Sequence, residues 1–150
     1  MIKETVLAAG ACADQLGVTK PDILAVTVLT SLDDHDLDEV GFKKKTKDLV
    51  LDLARMAIAA GATGFVASPQ DISVLRDNLG DKFVIVTPGI RAGKKIKNTD
   101  DQKRTLSAYE AIRMGADYIV VGRPIRTAEK PLEACHQIIQ EITEALAAER

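Results

Sequence analysis

Two kinds of hydrophobic spacing alternate along the chain. Apolar side chains at positions 2, 6, 9, 13 and 16 recur every three or four residues, which predicts an amphipathic helix that Gly17 ends in a left-handed conformation. Residues 23–30 instead form a nearly continuous, β-branched apolar run, typical of a strand buried on both faces. Shorter apolar runs at 64–68, 83–87 and 118–122 predict three more strands.

Helical patterns fill the intervals between these strands. Residues 31–39 predict a short acidic helix, and a longer helix is expected to begin at Thr46 as its cap and to end at Gly61. Ser31 and Ser68 are interpreted as helix caps, and further helices are predicted from Ser68 to Gly80, at about 105–114 and at 131–147. One helix followed by four strand–helix units predicts a single α/β domain over residues 1–150, with a parallel sheet and right-handed crossovers.

Composition excludes several classes of protein. The 150 residues are 46% hydrophobic and 28% charged, which is typical of a folded domain and not of a disordered chain. A net charge of -2 and 3% aromatic residues give no basic, aromatic surface for nucleic acid. The longest apolar run is far too short for a membrane span, and the N-terminus lacks a secretory pattern, so we expect a cytoplasmic protein without a membrane partner.

The cysteines and histidines give little indication of chemistry. Cys12 and Cys135 are too few for a disulfide framework and are expected to be reduced. His35 and His136 have no partners at ligand spacing in the sequence, so no metal is predicted. A serine nucleophile would need a histidine base nearby, and neither histidine is suitably placed.

A polar, basic segment follows the third predicted strand. Residues 88–104 form a connection longer than ordinary loops, and ligands of parallel α/β proteins bind at the carboxyl ends of strands. Gly89 and Arg91 follow the third strand, and Gly122 and Arg123 follow the fourth. Glycine lets the backbone approach a ligand, and a guanidinium binds phosphate oxygens through two hydrogen bonds. The two strand ends therefore predict a phosphate site.

Four stretches carry a resemblance to a known family. Residues 24–31 (LAVTVLTS), 86–91 (VTPGIR), 100–104 (DDQKR) and 115–125 (GADYIVVGRPI) resemble, in order and separation, the closing motifs of bacterial orotidine 5'-monophosphate decarboxylases. The resemblance covers nearly the whole chain and implies a parallel (β/α) half-barrel, the second half of a TIM (β/α)8 barrel. It also implies the cofactor-free decarboxylation of orotidine 5'-monophosphate (OMP) to uridine 5'-monophosphate (UMP) in pyrimidine biosynthesis.

The resemblance assigns binding roles to six positions. Arg123, the backbone of Gly122 and Arg91 would hold the 5'-phosphate. Gln102 would link the phosphate to the pyrimidine, Pro88 would form an apolar wall at the base, and Thr30 would contact the nucleotide from the other side. The family uses such phosphate contacts to organise the reacting end of the substrate.

The family's reacting groups have no match in this sequence. They are a lysine and aspartates in an Asp-x-Lys-x-x-Asp motif after the third barrel strand, with an aspartate and a lysine from the first two strands. The nearest match begins at Asp101 but has Leu106 in the last position. No catalytic residue is therefore assigned, and we expect the chain alone to be inactive, because the charged network that drives decarboxylation would be missing.

Two other functions remain open at this point. The chain is also compatible with a non-catalytic half-barrel that binds phosphate or a nucleotide. A sugar-phosphate enzyme of a related barrel family would share the glycine–arginine phosphate site, but would have no reason to carry the DQKR sequence. In each case four strands leave two sheet edges and an apolar interior face uncovered, so we expect a homo-oligomer or pairing with the missing amino-terminal half.

Overall fold

The computed structural model describes residues 1–91 and 104–148. Helices and strands alternate in this part of the chain as the sequence predicts. The helices are α1 (Ile2–Leu16), α2 (Asp34–Glu39), α3 (Thr46–Ala59), α4 (Ile72–Leu79), α5 (Ala108–Arg113), α6 (Arg123–Arg126) and α7 (Pro131–Ala147), with a 3-10 turn at Pro69–Asp71 before α4. The strands are β1 (Leu24–Val26), β2 (Gly64–Val66), β3 (Val84–Thr87) and β4 (Tyr118–Ile119).

The four strands form one parallel sheet in the order β1-β2-β3-β4. Each strand therefore lies beside the one that precedes it in the sequence. With right-handed crossovers, this order places all connecting helices on the same side of the sheet, as in a parallel barrel. The parallel α/β fold predicted from the sequence is confirmed.

The two faces of the sheet differ in burial. One row of paired residues, Ala25, Phe65 and Ile85, belongs to the hydrophobic core together with residues of α3, α4, α5 and α7. The neighbouring row contains Val26, Val66, Val86 and Tyr118, in which Val26 is 61% and Tyr118 63% exposed. The expectation that the first strand is buried on both faces is therefore wrong, because the helices cover only one of them.

Helix ends agree with the sequence in some places and differ in others. Gly17 follows α1 with φ 63° as predicted, and Ser68 accepts a hydrogen bond from the Gln70 amide at the start of the 3-10 turn. Ser31 is not a cap, because α2 is capped by Asp33. The strands are also shorter than the apolar runs that predicted them, since only part of each run, mostly its first residues, pairs with a neighbour.

The start of α3 shows a cap that the sequence did not predict. The residue at the cap position is Lys45, and Thr46 is the first helical residue. The amide and the hydroxyl of Thr46 both donate to Asp34 Oδ1 at 2.7 Å. These bonds, with the Lys45 ammonium, lower the pKa of Asp34 to about 2. A carboxylate twelve residues away thus performs the capping role expected of Thr46.

No helix in residues 1–91 and 104–148 combines the length and the apolar character that crossing a membrane requires.

Candidate functional site

The carboxyl ends of the four strands meet at one edge of the sheet. β3 and β4 are neighbours, and the Val120 amide donates to the Thr87 carbonyl at 2.8 Å just beyond their paired residues. Pro88 follows β3 directly, while Gly122 and Thr30 lie a few residues beyond β4 and β1. The structure thus places these three predicted binding residues at the edge where parallel α/β proteins bind ligands.

Gly89 lies where three connections converge. Its φ is +83°, a conformation that side chains other than glycine rarely adopt. A Cβ at this position would lie 3.2 Å from the Arg104 carbonyl oxygen, 3.4 Å from Thr30 Cγ2 and 3.6 Å from Pro69 Cδ. Glycine is favoured here, because the backbone conformation would strain another residue and a Cβ would crowd the Arg104 carbonyl. It brings the exits of β1, β2 and β3 into contact.

The connection after β3 returns to the same edge of the sheet. Ile90 and Leu106 form an isolated parallel bridge, and the Arg91 amide donates to the Leu106 carbonyl at 2.9 Å. Arg91 Nη1 donates to the Ile90 carbonyl at 2.8 Å. The two ends of this connection are therefore held together. Gln102, predicted to contact both the phosphate and the pyrimidine, lies outside the described residues.

The exit of β4 leads into the short helix α6. Gly122 precedes this helix, and its carbonyl accepts from the amides of Ile125 and Arg126 at 3.1 and 3.0 Å. Among the described residues, no atom lies within 4 Å of an added Cβ at Gly122, so they leave the space beside this backbone open. Arg123 is the first residue of α6 and is partly buried. The arrangement leaves room for a ligand beside the Gly122 backbone.

A buried ion pair joins the exits of β1 and β2 to the return of the β3 connection. Arg104 Nη1 lies 2.5 Å from Asp71 Oδ2, and the two side chains are 7% and 1% exposed. Arg104 Nη2 donates to the carbonyls of Val28 and Leu29 at 3.2 and 3.1 Å. The Ser68 hydroxyl donates to the Arg104 carbonyl at 3.3 Å. One arginine therefore bonds to two separate segments, the exits of β1 and β2, and joins both to its own segment at the carboxyl edge.

This edge also carries unsatisfied polar atoms. Within residues 1–91 and 104–148, the buried side-chain atoms without a hydrogen-bond partner are Asp71 Oδ1, Arg104 Nε and Thr87 Oγ1. Thr87 ends β3, and the other two belong to the ion pair. Burial raises the pKa of the Asp71 carboxyl above its ordinary value, against the opposing effect of Arg104. Unsatisfied buried groups are rare in proteins, and such groups are common at functional sites.

An open pocket of about 640 Å³ adjoins the ion pair. Gln70, Asp71 and Arg104 line one side, and residues 33–35 and 45–47 line the other. The lining mixes both signs of charge, and Asp34 within it already binds Thr46 and Lys45. The five described residues predicted to bind substrate do not line it. This pocket and the predicted phosphate site are therefore different parts of the carboxyl edge.

His35 has neighbours that the sequence spacing did not reveal. Its ring lies with the carboxylates of Asp36 and Glu39, and one ligand atom from each is within 4.8 Å of the others. The expectation that His35 lacks partners at ligand spacing is therefore wrong, because one helical turn brings residues 35 and 39 together. All three side chains lie at the protein surface or near it, and Asp36 also accepts a hydrogen bond from the Asp33 amide.

The Asp71–Arg104 pair was not identified as a site from the sequence. Asp71 fell within the helix predicted from Ser68 to Gly80, and Arg104 was only the last residue of the basic segment 88–104. The one signal in the sequence was that Asp71, an ionisable residue, directly precedes the apolar first residue of α4. The two partners are 33 positions apart in the sequence, so the contact is not apparent until the chain folds.

The fold and the position of these residues define a class of protein. A parallel sheet with sequential strand order defines a β/α-barrel segment, and glycine and arginine follow its last two strands, where barrels of this class frequently bind phosphate. The sequence profile of the "Orotidine 5'-phosphate decarboxylase / HUMPS family" matches residues 1–138. The chain belongs to this family.

Individual relatives agree with this assignment. An orotidine 5'-phosphate decarboxylase of Syntrophus aciditrophicus is 51% identical over 148 residues, covering 99% of this chain and 59% of the relative. One of Citrifermentans bemidjiense is 44% identical over 123 residues, covering 82% and 50%. The crystal structure of the Lactobacillus acidophilus enzyme matches with a TM-score of 0.73 at 36% identity, covering 95% of this chain and 58% of that one.

The chain thus spans about half the length of the relatives it matches. A four-stranded sheet matched to little more than half of a longer homologous chain is consistent with the half-barrel predicted from the resemblance.

Proposed function

We propose that this chain is the nucleotide-binding half of an orotidine 5'-monophosphate decarboxylase, the enzyme that converts OMP to UMP and CO2. The observation that carries the proposal is the convergence of Thr30, Gly89 and the β3 connection at the carboxyl edge of a sheet that belongs to this family. The same residues carry the sequence resemblance. The chain would then form one half-barrel domain, with barrel strands five to eight.

Phosphate binding would come from the exits of β3 and β4. Arg123 and the open backbone at Gly122 would bind the 5'-phosphate, with Arg91 as the second cation. Pro88 would lie against the base and Thr30 would contact the nucleotide from the β1 exit, while Gln102 would join phosphate and pyrimidine. Charge-assisted bonds suit this part of the substrate because it does not react, so its binding energy serves to orient the reacting end.

The chemical step would need groups beyond these. The family's lysine and aspartates oppose the substrate carboxylate and supply the proton to the carbanion, and they belong to the first three strands of the barrel. The six residues named here bind and orient a nucleotide but do not provide that network. We therefore propose that the chain alone binds nucleotide without turning it over, and needs no cofactor or metal for binding.

Association with another chain would cover the exposed face of the sheet. Val26 and Tyr118 belong to the apolar row that the helices leave exposed, and in a barrel this row faces the interior. Apolar surface of this kind favours association. We propose that the face is covered by the amino-terminal half of the barrel or, in its absence, by a second copy of the chain.

Titration with UMP tests the phosphate site. Arg123→Ala should weaken binding roughly 10- to 100-fold, because it removes charged hydrogen bonds to the phosphate. Arg126→Ala is the matched control, since Arg126 is an exposed arginine of the same short helix and should change affinity less than about twofold. Equal affinity of the wild type and Arg123→Ala would remove Arg123 from its role.

A decarboxylation assay separates the enzyme half from a purely binding half-barrel. The chain should show no activity by itself, and activity should appear when the amino-terminal half of a family member is added. Turnover by the chain alone would contradict the proposed division of labour. UMP binding without activity in the mixture would favour the non-catalytic half-barrel.

Sedimentation over a wide concentration range tests the assembly. The wild-type chain should associate, and Val26→Lys should weaken the association because it places a charge on the exposed apolar row. Val40→Lys is a control, since Val40 is equally exposed but lies at the end of α2, away from the sheet. A wild-type monomer at every concentration would refute the proposal.

A further inference from the structure

Arg104 and Asp71 stand at the centre of what we call the carboxyl-edge junction. The junction consists of Leu29 and Thr30 after β1, residues 68–71 after β2, Gly89 after β3, and Arg104. Within it, the guanidinium bonds to the Asp71 carboxylate and to the Leu29 carbonyl, while the Arg104 carbonyl accepts from Ser68. Removing this one side chain would therefore take away its bonds to the exits of β1 and β2, while the bond from Ser68 to the Arg104 backbone carbonyl would remain.

The bonding of the pair is incomplete. Arg104 Nε and Asp71 Oδ1 are buried and have no hydrogen-bond partner in residues 1–91 and 104–148. A buried ion pair stabilises a fold only when its remaining donors and acceptors are satisfied, because the desolvation of both charges otherwise exceeds their attraction. Stability alone is therefore a poor explanation for this pair. A fixed geometry at the carboxyl edge explains it better, since the guanidinium sets three segments at defined distances.

The segments that Arg104 fixes lead directly to the proposed nucleotide site. Leu29 accepts the guanidinium bond and precedes Thr30. Gly89, which follows Pro88 in the chain, is close to two groups: the Arg104 carbonyl oxygen and the methyl group of Thr30. Two residues beyond Gly89, the Arg91 amide bonds to Leu106, two residues beyond Arg104. A displacement of Arg104 would therefore move both sides of the site.

We propose that Arg104 and Asp71 are positioning residues that set the separation of Thr30 from the 88–91 segment for nucleotide binding. The inference rests on the function proposed above and adds two residues to it. The pair does not touch the nucleotide. It determines affinity through the loops it joins, since a binding site loses affinity when its groups must be ordered by the ligand.

Conservative substitutions test the role with a matched control. Arg104→Lys keeps the charge but cannot make the same set of bonds to Asp71, Val28 and Leu29. Arg76→Lys is the control, because Arg76 also binds backbone carbonyls and an aspartate with little exposure, but at the amino ends of the strands. We expect Arg104→Lys to weaken UMP binding roughly tenfold or more, and Arg76→Lys less than about twofold.

Amide hydrogen exchange provides a readout that needs no ligand. The Leu32 amide bonds to the Leu29 carbonyl, and the Arg91 amide bonds to the Leu106 carbonyl. Arg104→Lys should accelerate exchange at these two amides roughly tenfold while leaving the Ala67 amide, bonded within the sheet, unchanged. Should Arg104→Lys fail to fold, Asp71→Asn, which keeps the shape of the side chain, should show the same selective pattern.

The outcomes separate this inference from the function on which it rests. Equal loss of UMP affinity in Arg104→Lys and Arg76→Lys would overturn the positioning role. If the wild type does not bind UMP, the proposed function fails, and exchange alone decides the role of the pair. Selective acceleration at Leu32 and Arg91 would then support it, whereas uniform or unchanged exchange would refute it.

Discussion

Two arginines bind the opposite edges of the sheet in different ways. At the amino ends of the strands, Arg76 Nε and Nη2 donate to the Gly115 carbonyl at 3.0 and 2.7 Å, and Nη1 donates to Phe83 at 2.8 Å. Nη2 also bonds to Asp117, which in turn accepts from the Ile85 amide at 2.7 Å. All three guanidinium nitrogens have partners. Arg104, at the carboxyl ends, has one nitrogen, Nε, that finds no partner in the part of the chain that the structure describes.

The aspartates that pair with these two arginines also differ in their exposure to solvent. Asp117 is 43% exposed, so water shares its charge, whereas Asp71 is 1% exposed. In parallel barrels the amino-terminal edge serves stability and the carboxyl-terminal edge carries function. The contrast between the two arginines is consistent with this division. At the amino edge every guanidinium nitrogen of Arg76 is hydrogen-bonded, whereas the carboxyl edge contains buried polar atoms that lack a partner among the described residues.

The largest expected effect is that of Arg104→Ala. The variant leaves Asp71 buried without a counter-ion and removes the donor from the Val28 and Leu29 carbonyls. We expect the free energy of unfolding at pH 7 to fall by about 3–5 kcal/mol, measured by urea denaturation. The double variant Arg104→Met with Asp71→Leu should recover much of this loss, since it removes both charges. A loss below about 1 kcal/mol in the single variant would contradict the buried-pair description.

Arg76→Ala should have a smaller effect on stability and none on the ligand. It removes the bonds to Gly115 and Phe83, but the half-exposed Asp117 is left in contact with water. We expect the free energy of unfolding to fall by about 2–3 kcal/mol. UMP affinity should stay within about twofold of the wild type. A large loss of UMP affinity in a folded Arg76→Ala protein would contradict the division between the two edges.

Gly115→Ala tests the packing of the amino edge. Gly115 has φ +101°, and an added Cβ would lie 3.1 Å from Arg76 Nε. Backbone strain and crowding should together lower the free energy of unfolding by about 1–3 kcal/mol in thermal or urea unfolding. Gly10→Ala is the matched control, because Gly10 is inside α1 and its Cβ would meet only Lys20. That control should be stabilising by about 0.5–1 kcal/mol.

The smallest expected effects appear in the pH dependence of stability. The raised pKa of Asp71 means that the folded state holds its proton at a higher pH than the unfolded state, whose value is near 3.8. Its contribution to stability is therefore present below 3.8 and is lost as the pH rises through the folded pKa. The advantage of the wild type over Asp71→Asn in free energy of unfolding should therefore shrink as the pH rises above 3.8. A constant or growing difference would contradict the burial effect.

Asp34 provides the control of opposite sign for this measurement. Its pKa is about 2, below 3.8, so its contribution is present above 3.8 and is lost as the pH falls towards 2. The advantage of the wild type over Asp34→Asn should therefore fall on acidification, opposite to the Asp71→Asn comparison.

Local patterns predicted the elements that depend on neighbours in the sequence. The final helix occupies residues 131–147 as predicted, and Gly17 ends α1 as predicted. The strand positions were also predicted, but their lengths were not, because pairing with an adjacent strand decides where a strand ends. The α5 helix begins at Ala108 and not near 105, since Ser107 caps it through a reciprocal bond with Glu110.

In the candidate site too, the sequence predicted some residues and missed others. Thr30, Pro88 and Gly122 were predicted at strand exits and lie there, because the position of a residue just after a strand is a local property. Their role in binding stays a prediction. Asp71 and Arg104 were missed as a pair, since nothing in either segment indicates which distant residue will approach it.

The sequence by itself determined a parallel α/β unit, the strand exits that carry glycine and arginine, and membership of the decarboxylase family. Spacing of apolar residues and short motifs contain this information because they act over a few neighbouring positions. Only the tertiary structure decided that Arg104 bonds to the exits of both β1 and β2, that Gly89 lies close to Thr30, and that one face of the sheet is exposed. These features depend on segments brought together by the packing of helices onto the sheet, which no local pattern specifies.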